Sequence, residues 1–157
     1  MITEPIILPE SLKTRLDWID QEHDELITEV NGMYQLLRQN FEDVSAELAK
    51  KYVIFREKLE VHFHHEESLM QETSFLFLEA HRIHHRKMLS MLDASFREDS
   101  LAGGRTRAEK LEQNLLLCLE TVVKDIVEAD KSFVDFLQDE GYIAPNRQQA
   151  EDRQVRY

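Results

Sequence analysis

Between Pro9 and Pro145 the apolar positions recur at alternating steps of four and three, the spacing of a helix face turned toward a core. The first such stripe is Leu12, Leu16, Ile19, His23, Leu26, Val30, Met33, Leu37. The second is Leu48, Tyr52, Phe55, Leu59, His62, Glu66, Leu69, and the third is Leu78, His81, His85, Met88, Leu92. The fourth is Leu111, Leu115, Cys118, Val122. No proline interrupts this interval, so nothing in it forbids helix. The pattern predicts helices from Ser11 or Leu12 to Arg38, from about Ser45 to Met70, from Thr73-Ser74 onward, and from Ala108 to Asp139, where Gly141 stops the last one. Gln39 to Asp43 reads as a turn, and Asp99 to Arg107, containing Gly103-Gly104, as the clearest break. Short connections imply antiparallel neighbours. The expected fold is all-α, an up-down-up-down antiparallel four-helix bundle over 11–140, with an N-terminal arm over 1–10 and a short polar C-terminal tail over 141–157.

The stripes carry polar residues where apolar ones are due. His62 and Glu66 lie on the second seam, His81 and His85 on the third, and His23 takes a core slot on the first. Residues four apart share a helix face, so each pair can aim two ligand atoms at one place. A lone buried histidine is more often hydrogen-bonded core than ligand. A buried carboxylate without a partner costs several kcal/mol or neutralises itself, whereas a cation removes that penalty. Four imidazoles and a carboxylate on three successive seams therefore point to a metal site enclosed by the bundle, open to diatomic molecules and closed to large substrates. His64, His65 and His84 fall off the seams and are expected at the surface or behind the ligands.

Composition narrows the picture further. At 157 residues the chain suits one domain with a single substantial core. The net charge of −12 argues against nucleic acid and anionic membrane surfaces, both of which require a basic patch. No apolar run approaches the roughly 18 residues of a membrane span. The start Met-Ile-Thr-Glu-Pro lacks the pattern of a signal peptide, so a cytoplasmic location is expected. The one cysteine, Cys118, is read as a small core residue.

Four ordered segments carry a family resemblance: Ile19-Asp20-Gln21-Glu22-His23, His62 through Met70 (HFHHEESLM), His81 through His85, and Asp130 through Leu137 (DKSFVDFL). Together, spanning about Trp18 to Leu137, they resemble the hemerythrin family, particularly its bacterial single-domain members. The resemblance implies a non-haem di-iron centre, two Fe ions with an oxo or hydroxo bridge, used to bind O2. Carried across, His23 and His62 would hold the iron that meets O2, His81 and His85 the other, and Glu66 and Asp130 would bridge them. One ligand departs from the pattern: the family places a last histidine five residues before the bridging aspartate, and Asp125 stands there. Thr121 stands where bacterial members usually have tryptophan.

Two registers are open for the fourth helix, because Glu120 and Asp125 repeat the spacing of Asp125 and Asp130. The sequence after Asp130 favours the latter pair. Residues five apart on a straight α-helix diverge by about 140°, so Asp125 and Asp130 converge only by flanking the site or through a π-bulge. Asp125 also has an ordinary reading as a solvated or salt-bridged residue, set against its place below Leu115, Cys118 and Val122.

Three functions compete. The first is binding of O2 or another diatomic such as NO, for storage, delivery or sensing. The second is a di-metal oxidase or peroxidase-type enzyme or redox sensor, favoured by the added charge of Asp125, which stabilises the ferric state, and by the room left at Thr121. Asp125 or Glu67 would then be the acid or base, although Glu67 has a more ordinary role as a hydrogen-bond partner of a ligand. The third is a non-redox zinc or mono-metal site. The first is the expected function, and the sequence identifies no redox partner.

Overall fold

The computed structural model describes residues 2–39, 44–97 and 106–144. Four helical rods run through them: α1 (Asp17–Arg38), α2 (Val44–Glu72), α3 (Leu78–Arg97), and a fourth rod assembled from α4 (Arg107–Lys124), a π-helical segment (Asp125–Asp130) and α5 (Lys131–Asp139). α1 packs against α2 and α4, and α3 completes the square against the same two. This is the expected all-α four-helix bundle. Among the described residues no helix is long and apolar enough to cross a membrane. The expected turn over 40–43, the break around Gly103-Gly104 and the tail beyond Ala144 lie outside the described residues.

Two apolar clusters fill the bundle. The larger is built on Leu26, Val30, Met33, Phe55, Leu59, Leu92, Leu115 and Cys118, and the smaller on Met70, Phe75, Phe133 and Leu137. Burying each Leu or Phe of this kind contributes about 1.5–3 kcal/mol relative to leaving it in water. Every rod places at least one expected metal-site residue between these clusters: His23 between Leu16 and Leu26, Glu66 between Phe63 and Met70, His81 and His85 between Leu78 and Met88, and Asp130 between Ile126 and Phe133, while His62 and Asp125 border the larger cluster. The polar cluster therefore has an apolar layer on both sides along the bundle axis. Cys118 is fully buried, and burial pushes its thiol far above the ordinary range, in keeping with a core role.

Helix ends depart from the sequence expectation in two places. The first helix begins at Asp17, not at Ser11 or Leu12. Glu10–Leu12 forms a separate 3-10 turn, Arg15 adopts a left-handed φ of 74°, and the Asp20 carboxylate accepts the backbone N–H groups of Thr14 (2.8 Å) and Arg15 (3.3 Å). Asp20 thus folds the chain back onto the helix start, where a carboxylate also complements the helix dipole. Thr73-Ser74 closes α2 and does not open α3, which starts at Leu78. Ser74 is left-handed (φ 56°), its N–H bonds the Gln71 carbonyl, and the N–H of Phe75 bonds the Met70 carbonyl. That is the Schellman pattern of a helix C-terminus. Along the second seam the deep residue is Met70, fully buried, in place of the expected Leu69, which is only half-buried.

Other ends are as expected. Thr106 caps α4 with a capping box to Glu109, satisfying two backbone donors that the helix leaves orphaned. At the far end Gly141 (φ 78°) repeats the Schellman pattern, with Tyr142 N–H on the Leu137 carbonyl at 2.8 Å. A side chain at Gly141 would meet nothing within 4 Å, so its cost is backbone strain alone. Gly141→Ala is expected to cost about 1 kcal/mol, read as a thermal midpoint lower by about 2–4 °C for a chain of this size. The arm is tied down as well: Asn31 donates to and accepts from the Ile6 backbone (2.9 and 2.8 Å), and Ile2, Ile6 and Leu8 pack on the larger cluster.

Candidate metal centre

His23 on α1, His62 and Glu66 on α2, His81 and His85 on α3, and Asp125 and Asp130 at the two ends of the π segment meet inside the bundle, none more than 6% exposed. They form two overlapping groups whose ligand atoms lie within 4.8 Å of one another: His23, His62, Glu66, Asp125 and Asp130 in one, Glu66, His81, His85 and Asp125 in the other. Two pairs of imidazoles thus face each other across carboxylates. Glu66 turns Oε1 toward His62 Nε2 (3.1 Å) and Oε2 toward the Nε2 atoms of His85 (3.5 Å) and His81 (3.6 Å). Asp125 does the same, with Oδ2 3.5 Å from His62 Nε2 and Oδ1 3.3 Å from His85 Nε2. Asp130 sets Oδ2 3.0 Å from His23 Nε2 and Oδ1 4.0 Å from His81 Nε2. Each carboxylate shows one oxygen to each imidazole pair.

The π segment makes this possible. Lys131 N–H bonds the Ile126 carbonyl five residues back, so across Asp125–Asp130 the helix closes its turns over five residues. Residues five apart then lie on one face, and both aspartates point inward where a straight α-helix would diverge them. Glu120, the alternative ligand in the shifted register, is exposed and outside both groups.

Two further carboxylates orient the imidazoles. Nδ1 of His62 lies 2.7 Å from Glu22 Oε2, and Nδ1 of His85 lies 2.8 Å from Glu67 Oε1. A carboxylate accepts only, so each ring puts its N–H outward on Nδ1 and leaves Nε2 facing the cluster. Phe63 stacks on the His85 ring at 3.8 Å between centroids and fixes its plane. Glu67 therefore has the ordinary role the sequence suggested. Glu22 had no assigned role, because its partner comes from another helix and periodicity carries no signal for it. Of the off-seam histidines, His64 is exposed, exposed His65 shares Glu22 through its Nδ1, and His84 is half-buried.

Both oxygens of Glu66, Asp125 and Asp130, with Nε2 of His81 and His85, are closed from solvent and have no hydrogen-bond partner. Each such atom costs about 1–3 kcal/mol if it stays unsatisfied, and all of them are donors of electron pairs to a cation. Protons offset part of that cost. Burial, then the neighbouring His62 ring, holds His23 down at about 4, so it is neutral. Burial opposes charge on His85 too, but Asp125 and Glu66 lift it to about 9. Burial opposes charge on His62 as well, but the Glu66 charge, together with hydrogen bonds to Asp125, Glu22 and Glu66, lifts it well above its ordinary range. Burial, then the charges of Asp125 and Glu66, raises Asp130 well above the usual carboxylate range. Burial also opposes charge on Glu66, yet His62, His81 and His85 hold it well below the usual carboxylate range. The donor set thus suits cations that displace the protons now holding it together.

The chain matches the family model described as the hemerythrin HHE cation-binding domain over residues 14–137, a span that includes all seven cluster residues. None of the curated proteins compared with it matches. With the bundle, the buried His and carboxylate cluster and the family model in agreement, this chain is a metal-binding helical protein that belongs to the hemerythrin HHE family.

Proposed function

We propose that the cluster holds two iron ions and binds O2, or another diatomic such as NO, for storage, delivery or sensing. The observation that carries this reading is the division of the donors: two imidazole pairs with three carboxylates between them, each carboxylate offering one oxygen to either side. That division suits two cations held close together. His23 and His62 would serve one, His81 and His85 the other, with Glu66, Asp130 and Asp125 spanning both. Asp125 is thereby a shared carboxylate, at the position where the family pattern has its last histidine. When bound, ferrous ions would supply the electrons and the open coordination position that a diatomic ligand needs.

The chain's own groups set the conditions. Glu22 and Glu67 hold the rings of His62 and His85 by Nδ1, so their Nε2 atoms face the cluster and become donors once a cation displaces their protons. The apolar clusters keep bulk water from the carboxylates. A net charge of −12 gives no footing for nucleic acid, so small molecules are the proposed ligands. Anaerobic reduction followed by air should produce a visible band that vanishes on deoxygenation and returns. Irreversible bleaching would favour the second reading, an oxidase or peroxidase-type centre, for which the buried third carboxylate, Asp125, is the supporting observation. A colourless protein holding zinc would contradict both.

Metal loading should also be visible in stability. A ligand kept at a hundred times its Kd contributes about 2.7 kcal/mol, and each kcal/mol moves the midpoint of a chain this long by about 2–4 °C. Each ion is therefore expected to raise the thermal midpoint by about 5–10 °C, and chelation to reverse the gain, as followed by circular dichroism at 222 nm.

A further inference from the structure

A cleft of about 370 Å³ runs along the seam between α3 and α4. Its walls are Met88, Met91 and Leu117, and its deepest residues are Thr121 and Met88, 6% and 8% exposed. Thr121 lies four residues before Asp125 and Met88 three after His85, so each shares a helix face with a cluster residue one turn away. His84 lines the same cleft, with its ring 6.4 Å from that of His85. The Thr121 hydroxyl is turned to its own helix, donating to the Leu117 carbonyl at 2.7 Å, and His84 Nε2, closed from solvent, has no hydrogen-bond partner. At the rim Lys87 and Lys124 are balanced by Glu120 and Glu128, so the cleft favours neither sign of charge.

Resting on the reading of the cluster as a diatomic-binding centre, we propose that this cleft is the pocket where a small neutral molecule, a diatomic such as O2 or NO, first lodges, and that Thr121 is the threshold it crosses to reach Asp125 and the imidazoles. Beneath that charged rim the apolar side chains of Met88, Met91 and Leu117 offer such molecules a surface that water solvates poorly. Organic anions and cations find no complementary field there. A larger side chain at Thr121, which belongs to neither donor group, closes the inner end, and one at exposed Met91 narrows the outer end on a surface that tolerates change.

The test uses the iron-loaded full chain in two experiments. Crystals pressurised with xenon should show density among Met88, Leu117 and Thr121 in the wild type and none in Thr121→Trp. Stopped-flow association of nitric oxide with the ferrous protein should slow at least tenfold in Thr121→Trp and severalfold in Met91→Trp, at unchanged iron content, while Val61→Trp on the outer face of α2 leaves it unchanged. Equal association rates in all the proteins overturn the route even if xenon binds. Should the loaded wild type bind no nitric oxide, the diatomic reading of the centre fails, and xenon alone decides the pocket: density keeps it, and an empty cleft removes it. If Thr121→Trp does not fold, the Met91→Trp rate takes its place, slower supporting the route and unchanged overturning it.

Discussion

Glu66→Ala is expected to reduce the metal content from about two ions per chain to one or none, because a two-metal site depends on the group that links its halves. Glu66 is fully buried, belongs to both donor groups, and is the carboxylate that approaches three imidazoles at once. Without it, His23 and His62 share only the aspartates of the fourth rod with His81 and His85. The loss should appear at any free metal concentration that saturates the wild type. Glu67→Gln gives the necessary contrast: it weakens the bond that orients His85 and the outer ion pair with Arg82 but removes no donor, so it should lower affinity by about 10–100-fold yet still fill both positions at saturation. Metal analysis after anaerobic loading distinguishes the two, and far-UV circular dichroism of the metal-free variants verifies that the helices remain. Full occupancy in Glu66→Ala would mean that the ions sit elsewhere.

Asp125→His should slow the oxidation of the reduced protein in air by about tenfold or more, equivalent to about 1.4 kcal/mol or more in the barrier. Asp125 places a third carboxylate between the imidazole pairs, and extra negative charge from a hard oxygen donor favours the ferric state. A neutral imidazole reverses both effects. Histidine is the larger side chain, and overpacking can cost about 1–3 kcal/mol of stability, so Asp125→Asn, which keeps the shape and removes the charge, should be measured beside it. Both should slow oxidation. An unchanged or faster rate in both would show that Asp125 does not set the redox balance.

The helices and five of the seven cluster residues were legible because the same stripes encode both. His23, His62, Glu66, His81 and His85 occupy core slots at helical spacing, and a helix that buries its seam must bury them. Asp125 lay on the stripe of the fourth rod, but Asp130 was legible only through the resemblance, since a five-residue step lies on no face of an α-helix and its meaning depends on a π segment that local propensity does not announce. Glu22 was invisible for another reason: its bond to His62 exists only once α1 and α2 have packed. The misplaced helix starts share one cause. Asp20 and Ser74 act through side-chain bonds and left-handed backbone that take the place of the usual start signals at Ser11 and Thr73. Gly141, whose conformation glycine favours, stopped its helix where expected.

The central claim is that seven buried side chains form one site for two metal ions. The most direct test is anaerobic titration of the metal-free full chain with ferrous iron, counting equivalents bound and examining the centre by X-ray absorption. The account predicts saturation at about two irons per chain with an iron–iron distance of about 3.5–4 Å, the spacing of two-metal sites. Saturation at one iron, or two irons with no metal–metal scattering, would contradict it.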